Sequence, residues 1–334
     1  MKILLTGAGG FLGKKIAASL LEKGEQDIRL HFRQQPPKGF LEELSSKFPA
    51  AIVEPVFANL LNRSQLEKLV DGVDCVIHAA AGMRGAAADM FASSVIGTRN
   101  LLDAIGNQKV KRVVLISSFS VYQTVDLKAG SLITEDSKRE PDGPDKGPYG
   151  YAKARQETLF RSSQEKYGFE AIILRPGVIY GPGGGAFSSR VGIRALGFFF
   201  SLGGRAILPL TYVDNCADAV ALAAIRAPNN SVFNVVDDDL PTCNQYLREY
   251  RDRVTRIRTL RIPYWALLLG SRALVRYHQA SKGQLPAIFT PYIVRSMYRG
   301  FQYSNVALKN IGWQQGISTL QGMEISFDYW REHI

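Results

Sequence analysis

The chain has 334 residues and carries 41 Lys+Arg against 30 Asp+Glu, a formal charge of +11. Apolar and charged fractions of 46% and 21% exclude a disordered or fibrous chain. Three cysteines (Cys75, Cys216, Cys243) without a CxxC pair and four scattered histidines exclude a disulfide scaffold and argue against zinc. The length suits two domains, or one large α/β unit with an appended lobe. The basic surplus leaves three partners open: nucleic acid, a membrane surface or an anionic small ligand.

In chain order, the charged-then-apolar opening Met1-Lys2-Ile3-Leu4-Leu5 has too short an apolar run for a secretory leader and reads as a buried strand over 3–6. A helix follows over 11–22, with apolar residues at 12, 16, 20 and 21. Val- and Ile-rich runs at 28–32, 52–57, 75–79, 113–117, 172–174 and 233–235 predict further strands, and 63–69, 95–105, 151–166 and 215–226 predict helices, the last with Asp214 as its N-cap. This alternation predicts an α/β fold with a doubly wound parallel sheet. Residues 126–148 read as a polar loop. Residues 181–210 and 238–304, richer in Gly, aromatics and Arg, interrupt the rhythm and predict a smaller, discontinuous substrate lobe over the carboxyl edge. Residues 1–180 would form the nucleotide-binding domain, with 211–237 and 305–330 returning to it. No run reaches the ~18 apolar residues of a membrane span, so a soluble, cytoplasmic protein is expected.

Thr6-Gly7-Ala8-Gly9-Gly10-Phe11-Leu12-Gly13 lies between the first strand and the first helix. Gly7 permits the tight turn, Gly10 the approach of a pyrophosphate and Gly13 close helix–strand packing, while the helix N-terminus offers free N–H groups to phosphate. The second strand ends in Arg33, where an NAD site presents an acid. A guanidinium suits a 2′-phosphate, so NADP is expected over NAD. Asn59-Leu60, after the third strand, falls where an adenine could be bracketed.

Tyr149 and Lys153 stand four apart on one helix face. An adjacent ammonium favours the phenolate and lowers the tyrosine pKa toward the working range; Tyr151 lacks such a lysine. The run Val114 to Tyr122 ends a strand in hydroxyls at the edge where a carbonyl substrate would lie. The segment Arg175 to Gly183 could put backbone beside a nicotinamide.

TGAGGFLG at 6–13, VIHAAA at 76–81, GTRNLLDA at 97–104, VVLISSFSVY at 113–122, YGYAK at 149–153, RPGVIYGPG at 175–183 and YVDN at 212–215 occur in this order. Together they resemble the extended short-chain dehydrogenase/reductase family, which includes sugar epimerases and 3β-hydroxysteroid dehydrogenases. The resemblance implies a Rossmann-type sheet and makes Tyr149 the catalytic acid/base. Lys153 would orient the nicotinamide ribose and Ser118 polarise the carbonyl, with Ser117 and Ser120 its less favoured neighbours. Gly7, Gly10, Phe11, Leu12, Gly13, Arg33, Asn59, Leu60, Ala79, Ala80, Ala81, Pro176 and Val178 would contact the dinucleotide. Two positions depart from the family pattern: Ser94 stands where many members have Asn, and Asn59 where many have Asp. Residues 262–265, 289–295 and 307–313 resemble the 3β-hydroxysteroid dehydrogenase branch more loosely, and the family suggests a homodimer.

The leading expectation is an NADP-dependent reductase or dehydrogenase acting on a carbonyl or secondary alcohol. The alternatives are a nucleotide-sugar epimerase or dehydratase with retained NAD, and a non-catalytic NADP sensor. Eight arginines between Arg248 and Arg276 read as a solvated basic face, and no nucleic-acid motif accompanies them. The apolar run Trp265 to Leu269 and the triplet Phe198 to Phe200 read as lobe core, and His78 as a packed histidine.

Overall fold

The computed structural model describes residues 1–82, 85–139, 146–281 and 289–333. Parts of the expected polar loop (140–145) and of the expected lobe (282–288) lie outside the described residues. The first half of the chain supplies β1 (Lys2–Thr6), β2 (Asp27–Phe32), β3 (Ile52–Phe57), β4 (Cys75–His78), β5 (Arg112–Ile116) and the short β6 (Leu132–Ile133). The second half adds β7 (Glu170–Pro176), β8 (Val178–Tyr180), β9 (Gly192–Ala195), β10 (Phe198–Ser201), β11 (Leu210–Tyr212), β12 (Ser231–Val235), β13 (Thr259–Arg261) and β14 (Gln302–Tyr303). The helices of the first half are α1 (Phe11–Glu22), α2 (Phe40–Lys47), α3 (Leu66–Val70), α4 (Ala87–Phe91), α5 (Gly97–Gln108) and α6 (Gly147–Tyr167). They continue with α7 (Val213–Arg226), α8 (Cys243–Arg253), α9 (Tyr264–Ala280), α10 (Pro291–Tyr298), α11 (Val306–Asn310) and α12 (Thr319–Glu332).

Seven strands form one parallel sheet in the order β12-β7-β5-β4-β1-β2-β3. The strands β1, β4, β5 and β7 read as apolar runs because both their faces are buried, whereas the edge strand β3 is partly exposed. Ile3 and Leu5 face one core cluster with α1 and α7, whereas Leu4 faces the other with α3, α5 and α6, the two-residue alternation of a strand. Pro55 is tolerated because β3 is an edge strand. After β3 the chain crosses back to place β4 on the other side of β1. That reversal opens a crevice at the carboxyl ends of β1 and β4, where ligands of such folds bind.

Several local readings shift. Helix α6 begins at Gly147, four residues before the expected start, because Pro148 sits in its first turn with φ already set for a helix. Helix α5 is preceded by a π-turn over Ala92–Ile96. Asp214 is not the N-cap of α7: Tyr212 holds that place, and Asp214, one residue inside, pairs with Lys15 at 2.8 Å.

Beyond the main sheet, β9, β10 and β13 form a three-stranded sheet, and β14 pairs with β6. Tyr246, Tyr250, Phe199, Phe327 and Trp330 share one cluster with Tyr180 and Tyr212, while Leu308 and Trp313 join the sheet core. The Trp265 to Leu269 run is only partly core: Leu267 and Leu268 pack inward, but Trp265 and Leu269 are exposed. The reason is that one face of α9 docks on Val294 and Tyr298 while its other face meets no described element. Phe199 is buried, whereas Phe198 is exposed. Among the described residues, no helix is long and apolar enough to cross a membrane.

Candidate active site

The glycine loop joins β1 to α1. Gly7 adopts φ +74°, and a Cβ there would come within 2.9 Å of the Ala80 nitrogen. A Cβ on Gly13 would lie 2.1 Å from the Gly7 carbonyl oxygen, so only glycine lets helix and strand close together. The first turn of α1 has no side-chain cap and no acidic residue. Its N–H groups and the positive end of its dipole are therefore left for an anion. This cradle fits a dinucleotide pyrophosphate.

Arg33 is exposed just past β2 and makes no ion pair among the described residues. Asn59 is turned to a local task, its Oδ1 accepting from the Leu61 N–H at 3.0 Å, while Asn100 donates to the Leu60 carbonyl at 3.0 Å. After β4, the Ala80 N–H donates to Thr6 Oγ1 at 3.3 Å and the Gly82 N–H to Ser94 Oγ at 3.0 Å. Ser94, the departure from the family's Asn, thus ties the loop that carries Ala79, Ala80 and Ala81.

On the other side of the crevice, Ser118 follows β5 and Tyr149 and Lys153 lie in α6. The Ser118 hydroxyl lies within hydrogen-bonding reach of the Tyr149 phenol and also accepts from the Ser120 N–H at 3.2 Å. Burial pushes the phenol above its ordinary pKa, and the Ser118 contact offsets only part of that. The expected lowering by Lys153 is absent. The Lys153 ammonium spends its bonds on the Ile116 carbonyl at 2.8 Å and on Gln156 Oε1 at 2.9 Å, and burial brings it down to about 8. Ser117 is occupied elsewhere, donating to Glu157 at 2.7 Å. Ser120 Oγ is buried with no hydrogen-bond partner among the described residues.

Three devices support the site; two escaped the sequence reading, and the third rests on His78, packed as expected. Lys146, at the foot of α6, donates to the carbonyls of Ser120, Val121 and Tyr122 at 3.0, 3.3 and 2.9 Å, tying the Ser118 loop to the helix of Tyr149. Glu157, fully buried on α6, takes Arg175 of β7 through both oxygens at 2.6 and 3.2 Å, with Arg139 at 3.1 Å. Burial acts to raise the Glu157 pKa, but these guanidinium contacts prevail and hold it at about 2. Finally, His78 bridges Thr6 and Thr98 at 2.8 Å each, and Gln156 links Thr98 to Lys153. Burial keeps His78 neutral, at about 3.

Ser118, Tyr149, Lys153 and all the dinucleotide positions named from the sequence line a single cleft of about 1600 Å³. It runs from the glycine loop and Arg33 to a far end formed by Arg190, α10 and Tyr303.

Residues 3–235 match the model of the NAD dependent epimerase/dehydratase family. A 4-hydroxy-2-methyl-3-oxo-4-farnesyl-3,4-dihydroquinoline-1-oxide ketoreductase of Stigmatella aurantiaca is 29% identical over 71% of this chain and 68% of its own length. A 2-alkyl-3-oxoalkanoate reductase of Stenotrophomonas maltophilia is 30% identical over 67% of this chain and 65% of its own length. The uncharacterized protein YbjS of Escherichia coli is 26% identical over 100% of this chain and 98% of its own length. In fold, the chain resembles the dTDP-glucose 4,6-dehydratase DesIV of Streptomyces venezuelae, whose crystal structure holds NAD and DAU. That likeness has a TM-score of 0.75, with 19% identity over 99% of this chain and 97% of the other. UDP-glucuronic acid 4-epimerase of Bacillus cereus, solved with NAD, gives a TM-score of 0.72 at 20% identity over 100% and 99%.

Proposed function

Because the chain belongs to the NAD-dependent epimerase/dehydratase family, an extended short-chain dehydrogenase/reductase group of NAD(P)-dependent enzymes, we propose that it is an NADP-dependent reductase of a carbonyl compound. The observation that carries this reading is the meeting of Ser118, Tyr149 and Lys153 in the cleft whose opposite wall is the glycine loop. Two relatives are named as reductases of oxo compounds.

The phosphates would rest on the glycine loop and the α1 N-terminus, and Arg33 would meet the adenosine 2′-phosphate through its planar fork. The reduced nicotinamide supplies the hydride when bound. Tyr149, with its pKa raised by burial, holds its proton at neutral pH and donates it to the carbonyl oxygen as that oxygen gains negative charge. Ser118 donates to the same oxygen and steadies it. Lys146 fixes the loop after β5 against α6, and the Glu157–Arg175 pair fixes β7 against the same helix, so the two hydroxyls stay in register. Lys153, held on the Ile116 carbonyl one turn from Tyr149, would orient the ribose.

The test is a titration of the purified protein with NADPH and NADH, followed by a screen of ketones, aldehydes and UDP- and dTDP-sugars. Tighter NADPH binding and carbonyl-dependent NADPH oxidation are expected. Tightly retained NAD with turnover of nucleotide sugars alone would overturn the reading.

A further inference from the structure

The far end of the cleft has a chemistry of its own. Its walls are apolar and aromatic, drawn from Ile133, Tyr292, Ile293, Met297, Phe301 and Tyr303. Among the described lining residues of the whole cleft there are four Lys or Arg: Arg33, Lys146, Lys153 and Arg190. The one acid is Asp89, on α4. Arg33 stands past the end of β2, Lys153 is bonded to Ile116 and Gln156, and Lys146 holds three carbonyls. Arg190 is different. Apart from a long 3.4 Å contact to the Met297 carbonyl, its guanidinium lies against the Tyr303 hydroxyl, and it makes no ion pair among the described residues.

Arg190 is also firmly placed. Its own N–H donates to Ser188 Oγ at 3.2 Å, its carbonyl accepts from Cys243 Sγ at 3.4 Å, and the Tyr298 hydroxyl holds the preceding carbonyl at 2.7 Å. The next residue, Val191, is fully buried. Tyr303 is fixed in turn by the β6–β14 pairing and stacks on Phe119 with centroids 5.1 Å apart. Phe119 directly follows Ser118. A half-buried guanidinium with no carboxylate partner among the described residues therefore stands two rings from the proposed reacting centre, in a chamber of largely apolar walls whose other cation, Lys146, lies 5.8 Å from the Tyr292 ring and holds three carbonyls.

We propose that the substrate is an apolar oxo acid, and that Arg190 determines this specificity by pairing with its carboxylate while Ser118 and Tyr149 take the ketone. The proposal rests on the reductase reading above. The Arg190 guanidinium matches one carboxylate. A diphosphate, with at least two negative charges, calls for a second cation, and Lys146, the other one at this end, is committed to three backbone carbonyls. The planar fork of arginine suits a carboxylate held by two parallel hydrogen bonds.

The experiment measures kcat/KM with NADPH for medium-chain alkanoic acids bearing a ketone at carbon 3, 5 or 7, each beside its methyl ester, in wild type, Arg190→Met and Arg190→Lys. At one ketone position the acid should exceed its ester by tenfold or more. Arg190→Met should collapse that ratio toward one, and Arg190→Lys should retain part of it, with melting temperatures confirming that both variants fold. Esters reduced as well as acids at every position would overturn the proposal and leave the reductase reading standing. So would an acid preference untouched by Arg190→Met, or competition by UDP that is lost in Arg190→Met. Failure of every ketone with either nucleotide would bring down the reductase reading, and this inference with it.

Discussion

Replacing Glu157 by Gln tests the foundation under the active site. The Glu157 side chain has 0% exposure and that of Arg175 1%, and they meet through two hydrogen bonds. The variant leaves the Arg175 charge buried without its counter-ion, since Arg139 and Arg161, the other charged neighbours of Glu157 among the described residues, are themselves cations. Breaking one side of a buried pair costs about 3–5 kcal/mol. The carboxyl pKa points the same way: the guanidinium contacts hold it at about 2, well below its ordinary value, although burial acts to raise it. A loss of that size should lower the melting temperature by about 4–7 °C in a chain of this length. The pH dependence has a definite sign. A carboxyl with a depressed folded pKa stabilises fully above its unfolded value near ~4.3, and that contribution is lost as pH falls through the folded value. Protonated Glu157 resembles Gln, so the gap between wild type and variant should narrow on acidification. Urea unfolding at pH 7, 5, 4 and 3 measures it. A gap under about 1 kcal/mol at pH 7, or one that stays constant with pH, would refute the assignment of Glu157 as the buried anion that holds β5, α6 and β7 together.

Four further outcomes follow from the site. Tyr149→Phe should lose about 10²–10⁴ in turnover, the usual worth of a positioned acid, while stopped-flow or fluorescence titration shows NADPH still bound. Arg33→Asp should weaken NADPH by about 10–100-fold, the scale of a lost charge-assisted hydrogen bond, with NADH little changed; equal effects on both would remove Arg33 from the 2′-phosphate. Burial puts Lys153 at about 8, so its charge is present below that pH and lost above it. Any nucleotide affinity that depends on the ammonium should decline above about pH 8, and Lys153→Met should flatten that limb. Lys146→Met frees three carbonyls of the loop after Ser118 and should cut kcat by about tenfold without changing the NADPH dissociation constant. An unchanged kcat would mean that the loop is held without it.

The division between what the sequence shows and what it hides follows the range of the interactions. The glycine loop is legible because the tight turn, the helix start and the packing constraint occupy eight consecutive residues. Tyr149 and Lys153 are legible because one helical turn separates them, and the apolar strands because parallel strands are buried on both faces. Spacing nonetheless fails to say where an ammonium points. Lys153 sits one turn from Tyr149 as expected, yet it turns to the Ile116 carbonyl, and the phenol rises where a lowering was expected. Glu157 shows the same limit more sharply: four residues after Lys153 in a helix, it has the pattern of a surface acid. Apart from Arg161 one turn on, its partners are 18 and 40 residues distant, and the packing of β5 and β7 against α6 buries it. Trp265 errs in the opposite sense, an apolar residue in an apolar run that the docking of α9 leaves outside. Reaction chemistry here is written locally, on one helix and one strand end. Recognition depends on Arg190, whose setting is made by residues more than 100 positions away on α10 and β14. Substrate choice should therefore change through the α10 and β14 segments while the Ser118, Tyr149 and Lys153 set remains as it is.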